Sequence, residues 1–159
     1  MDRADALIAA IEEEDRLLCD QLARCPKTLR EMRGSGNSLS FKDTLGHLAF
    51  WDSFAVQFFN QRLDGMVRDD SERINFEERN RQELKRIRDL PYAEVHELYR
   101  KATRDLQAFL RQRWHELSSK ERRDIHLSLK HRRHHRVLLE NAFQTYFSEG
   151  DAREAEGEA

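Results

Sequence analysis

Through four long stretches of this chain, apolar residues return at steps of three and four, the spacing that stacks side chains on one face of an α-helix. Leu7, Ile8, Ile11, Leu18 and Leu22 define the first stretch, Ala4 to about Arg24. Glu12 to Asp15 interrupt its stripe; the periodicity sets Glu14 on the apolar side, yet such charge runs read as a wide solvated face. Cys25-Pro26 closes the stretch, and RGSGNS, 33–38, reads as a loop.

Ser40 with Asp43 three residues on has the form of a capping box and predicts a second helix from Phe41. Its inner face is broad: Leu45, Leu48, Ala55 and Phe59 form one row, and His47, Trp51, Phe54 and Phe58 the row beside it. The segment GMVRDDSER breaks the pattern. A shorter stretch with Phe76, Leu84 and Ile87 predicts a brief helix before Pro91, which is placed as the first residue of a third long helix reaching about Trp114. Ser118 to Asp124 reads as a joint. The last helix is then expected from Leu127 to Phe147, with His131, His135, Leu138, Ala142 and Tyr146 inward.

Six Gly and two Pro in 159 residues are too few turn-formers for an all-β sandwich or barrel, and 36% charged against 38% hydrophobic residues suits amphipathic helices. The expected fold is therefore all-α, an antiparallel four-helix bundle over residues 1–148 followed by an acidic disordered tail, 149–159. The long connection between the second and third long helices leaves room for one crossing, so the order of the helices stays open.

The first residues carry acids and no long apolar run, which predicts neither a secretory signal nor a membrane span and makes the cytoplasm the expected location. Cys19 and Cys25, six positions apart, match no redox or zinc motif and read as reduced thiols. A formal net charge of −2 offers no global attraction to nucleic acid. Seven Lys and Arg against three acids between Glu116 and Arg136 form a local basic face, but without a nucleic-acid-binding motif, so nucleic acid is not the expected partner.

His131 and His135 lie one turn apart on the last helix, and His47 stands on the inner face of another. Metal sites in helical bundles are built from side chains on facing helices in this way. Three neutral imidazoles suit zinc, nickel or iron and leave positions open for water or substrate. Trp51 and Phe54 would then wall an apolar pocket for a small-molecule substrate, with Asp52 beside them. HRRHH also contains His134, which could replace either neighbouring histidine and stands in for His135 if the helix is tilted.

SFKDTLGHLAFWDSF, Ser40 to Phe54, resembles the second helix of the DinB-like superfamily and its ClbS/DfsB-type branch: a capped helix with an acid, a His, then a Trp followed by an acid. FEERNRQELKRIRDLPYAEV, Phe76 to Val95, is similar to that branch's short helix carrying an Asn, and the final His-x-x-x-His to the superfamily's closing motif. The resemblance implies a bundle whose His47, His131 and His135 gather around a divalent metal. It implies either a metal-dependent hydrolase or a transferase using a low-molecular-weight thiol, or, in the ClbS/DfsB-type branch, a metal-free hydrolase. In the metal-free case Asp52 or Asp43 is the candidate general base. The reading from a different class is a non-catalytic helical protein that pairs as a homodimer through Phe50, Phe59 and Phe147.

Overall fold

A computed structural model of the chain describes residues 3–32, 39–66 and 75–157, with side chains as far as Tyr146. The expected loop 33–38 and most of the break after the second long helix, 67–74, lie outside the described residues, as does the side chain of Phe147. Every regular element among the described residues is helical: α1 (Arg3–Arg24), α2 (Lys27–Glu31), α3 (Phe41–Leu63), α4 (Phe76–Arg88), α5 (Tyr92–Arg113) and α6 (Ser119–Gly157), with a 3-10 turn at Trp114–Glu116. No helix among them is long and apolar enough to cross a membrane.

The capping box at the start of α3 forms as the sequence predicts: the Ser40 hydroxyl accepts from the Asp43 amide at 3.0 Å, and the Asp43 carboxylate accepts from the Ser40 amide at 3.3 Å. The helices depart from expectation at four points. Pro91 is the N-cap of α5, with ψ of 152°, and helical backbone begins at Tyr92. Past Pro26 the chain makes the short α2 where only a joint was expected. Most consequentially, α6 begins at Ser119 rather than Leu127. A second capping box starts it: the Ser118 amide donates to Glu121 Oε2 at 2.7 Å, and the Glu121 amide to Ser118 Oγ at 3.3 Å. The Ser-x-x-Glu signal lay in the segment read as a joint. At its other end the α6 backbone stays helical to Gly157, through most of the segment read as a disordered tail.

The four long helices pack side by side. Lys42, in the first turn of α3, donates to the carbonyls of Arg88 and Leu90 at 3.1 and 2.8 Å, just before α5. At the opposite end, Arg113 of α5 reaches Asn60 and Asp64 at 3.0 and 2.8 Å, so α3 and α5 run parallel. α1 and α6 run the other way: Leu7 and Ile125 share an apolar cluster with Phe59 and Leu110, and Leu22 and Leu139 share one with Phe41 and Val95. The direction pattern is up, down, down, up, and α4 returns along α3 as the crossing connection.

Between the two apolar clusters lies a polar layer that the sequence did not reveal. Arg132 of α6 is fully buried. Its guanidinium donates to Asp52 of α3 and to the Tyr99 hydroxyl of α5, and at 3.2 Å to Thr103. Tyr99 in turn donates to Asp15 of α1 at 2.6 Å. One network thus ties all four long helices together. It also corrects the expected inner face of α6: Ile125, Arg132, His135 and Leu139 are buried, whereas Leu138 and Tyr146 are 48% and 44% exposed and Ala142 is exposed too. Glu14 is likewise not on a solvated face. It is buried and accepts from Arg133 and Arg136 at 2.6 and 2.7 Å. Burial works against its charge and the two guanidinium bonds outweigh that, so its pKa lies below the usual carboxylate range.

Candidate metal centre

The capping box of α3 sets where the helix begins, and six residues after Phe41, on the second turn, stands His47. Its ring meets two rings of α6. His131 Nε2 lies 2.9 Å from His47 Nε2 and 3.0 Å from His135 Nε2. The ring centroids stand 4.8, 4.8 and 4.6 Å apart, close to an equilateral triangle, with interplanar angles of 66°, 67° and 82°. The ligand atoms of the three rings all lie within 4.8 Å of one another. Nitrogens bound to a common ion at about 2.1 Å would stand about 3 to 3.4 Å apart; the two separations to His131 lie close to the short end of that range, and three imidazoles are a donor set that suits a transition-metal ion.

Burial is the main reason the rings stay neutral, and each ring's neighbours add to it. His47 is held at about 4, by burial and then by the His131 ring; His131 at about 4, by burial and then by His134 and Arg132. His135 is held at about 3, by burial and then by His131 and His47. Neutral imidazole is the form that ligates. Among the described residues the cluster comprises these three side chains alone, which leaves any further coordination positions to water or substrate.

The sequence left His134 and His135 as alternatives, and the geometry separates them. His135 is buried and in the triangle; His134 is exposed, its ring 5.3 Å from that of His135, at the rim of the adjoining cavity. The cause is Arg132. Drawing it into the core fixes the rotation of α6, and His135, three residues on, then shares the inward face while His134 cannot.

A cavity of about 640 Å³ opens beside the histidines. Trp51, Phe54, Ala55 and Phe58 of α3 form one wall, Phe76 and Asn80 of α4 a second, and Leu127, Ser128 and Lys130 of α6 a third. Trp51 and Phe54, two of the expected pocket residues, line this cavity. Trp51 Nε1 donates to Asn80 Oδ1 at 2.9 Å, which uses its one polar group, and Arg79 lies 4.9 Å over the Phe54 ring.

Asp52 does not line this cavity. Burial works against both its charge and that of Arg132; Asp52, Tyr99 and Asp15 nevertheless hold the guanidinium's pKa above its usual value. Asp43 is also unavailable as a base, being fully buried between the capping box and Arg88, which donates to it at 3.1 Å. Cys19 and Cys25 are free thiols, and burial pushes both up from the usual thiol range. Of the expected dimer residues, Phe59 is core and Phe50 half-buried. The local basic face is largely spent on internal partners: Arg132, Arg133 and Arg136 as above, and Lys120 on Asp124 at 3.1 Å. Comparison with family models, with curated proteins and with solved structures finds no match for this chain.

Proposed function

We propose that this chain is a DinB-like four-helix bundle protein that holds a divalent metal through His47, His131 and His135 and acts on a small molecule bound in the adjoining cavity. The observation that carries this reading is the gathering of three neutral, buried or half-buried imidazoles from two facing helices beside an aromatic-walled cavity. The up, down, down, up arrangement, with its crossing connection, supports the bundle assignment that the motifs in α3 and α6 suggested.

Zinc, nickel or iron bound there would supply Lewis acidity, polarising a substrate oxygen or lowering the pKa of a water or thiol towards neutrality. The chain's own residues provide the setting. Burial keeps the three imidazoles unprotonated and so available as ligands. The Arg132 network holds α6 at the rotation and height that brings His131 and His135 to His47. Trp51 and Phe76, with ring centroids 5.3 Å apart, line the α4 side with aromatic surface. Hydrolysis is favoured over thiol transfer because the cavity wall beyond the histidines is aromatic and has few groups for a hydrophilic thiol. A metal-free hydrolase using Asp52 or Asp43 is less well supported, since both carboxylates are engaged in buried ion pairs away from the cavity.

The test is elemental analysis of the untagged chain, purified without chelator and also reloaded with zinc, beside a His47→Ala variant. Near-stoichiometric zinc, nickel or iron in the wild type and its loss in the variant is the expected result. A folded wild type that retains no metal after zinc loading and dialysis would overturn the reading.

A further inference from the structure

Starting from His47, every side chain that α3 contributes to the cavity is apolar: Trp51, Phe54, Ala55, Phe58 and Phe59. Eleven residues of helix separate His47 from Phe58, which is about 16 Å at 1.5 Å per residue. Across from this stripe, α6 runs antiparallel and offers Leu127 and His131, while α4 closes one side with Phe76. The polar groups are distributed unevenly. Asn80 is committed to the Trp51 indole, Asp124, at the far end, pairs with Lys120, and Ser128 of α6 stands between Asp124 and His131. The histidines and Lys130 stand at or near the end where the three rings converge. The cavity is thus a slot with the histidines at one end and an aromatic α3 wall along its length, with Phe76 and Leu127 left 57% and 58% exposed at its lips.

We propose that the ligand of this slot is an elongated apolar small molecule with one polar, reacting group, which lies at the histidines while its ring or chain runs along the α3 stripe towards Phe58. The orientation of the polar group rests on the metal-site reading above; the apolar character of the ligand does not. A volume of about 640 Å³ is in the range of small-molecule sites, about 300–1,000 Å³. Hydrophilic thiols of the glutathione or sugar type are disfavoured, because their hydroxyl, amide and charged groups would lose water against Trp51, Phe54 and Phe58 without gaining partners. Apolar surface gains in the same place, with each buried methylene tightening binding about three- to fourfold.

The experiment uses the full chain with the uncharged dye N-phenyl-1-naphthylamine, read by dye fluorescence and by quenching of tryptophan emission, first without metal and then loaded with zinc. Competing n-alkyl hydroxamates of increasing chain length follow on the loaded protein. The dye is expected to bind in both states. Competition is expected to strengthen by about three- to fourfold per methylene until the chain spans the slot, and glutathione is expected not to displace the dye. Ala55→Arg, which sets a charge in the aromatic wall at a half-buried position, should weaken dye binding at least tenfold while leaving zinc content unchanged. Absence of dye binding by the folded wild type, a flat chain-length series, or displacement by glutathione at similar concentration would each overturn the proposal. His47→Ala separates the two readings: if it loses zinc and keeps the dye, both stand. A wild type that binds dye but no zinc defeats the metal site alone, and one that binds zinc but no dye defeats the slot alone.

Discussion

Arg132 of α6 and Asp52 of α3 form an ion pair in which the side chains are 1% and 3% exposed. It lies between two apolar clusters, and each partner is close in sequence to a histidine of the candidate site: Arg132 directly follows His131, and Asp52 comes five residues after His47. The pair therefore sets how the two histidine-bearing helices are rotated against one another. A single polar connection decides which of several possible side chains face the site.

Breaking that pair from one side should be severe. Asp52→Ala leaves the guanidinium buried with its main partner gone, for which a loss of about 3–5 kcal/mol is expected. Asp52→Leu combined with Arg132→Met removes both charges and should recover most of it. Urea denaturation of Asp52→Leu, Arg132→Met and their double gives the coupling; simple additivity would show that the pair is not a unit.

Gly46 tests the approach of α4 to α3. A Cβ built there would stand 2.6 and 2.7 Å from Cγ2 and Cγ1 of Ile87, a fully buried side chain of α4. Helix propensity alone predicts that Gly46→Ala stabilises by about 1 kcal/mol. The contact predicts the opposite sign, a loss of about 1–3 kcal/mol from overpacking. Adding Ile87→Ala should make the Gly46 substitution harmless in that background. A stabilised single variant would show that α4 yields without cost.

The assignment of His135 over His134 has its own check. His135→Ala should lower zinc affinity by more than about 100-fold, beyond the range usual for changes outside the ligand set, and His134→Ala should leave it within a few-fold of wild type. Competitive titration with a chromogenic chelator measures both. The reverse order would mean that α6 is rotated from the arrangement described.

Stability should fall with acid over a defined window. The metal-free native protein holds His47 and His131 at about 4 and His135 at about 3, while unfolded histidines titrate near 6.5. Below about pH 6.5 the unfolded chain therefore binds protons that the native one does not, so unfolding becomes more favourable as pH falls towards 4. Glu14, whose pKa is lowered by Arg136 and Arg133, adds to the loss at the acid end. Urea midpoints of the metal-free chain at pH 7.5, 6 and 5 should decline in that order, and His135→Leu should flatten the decline. Equal midpoints at pH 7.5 and 5 would contradict buried, neutral histidines.

Helical class, the extent of α1, α3 and α5, the cap at Ser40 and the candidacy of His47, His131 and His135 were all legible in the sequence, because each rests on spacing within one helix or on residues three apart. Local periodicity reports which residues share a face. It does not report which way that face turns once the helix is packed. For α6 the apolar residues alone suggested Leu138 and Tyr146 inward, and the tertiary structure instead turned Arg132 and Leu139 inward, because Asp52, Tyr99 and Thr103 from two other helices supply partners for a buried charge. Glu14 is the same case, a carboxylate on an apolar face that two arginines more than a hundred residues away make tolerable. The convergence of three nitrogens, the exclusion of His134 and the direction of α5 relative to α3 likewise depend on contacts between residues distant in the chain, which no single segment encodes.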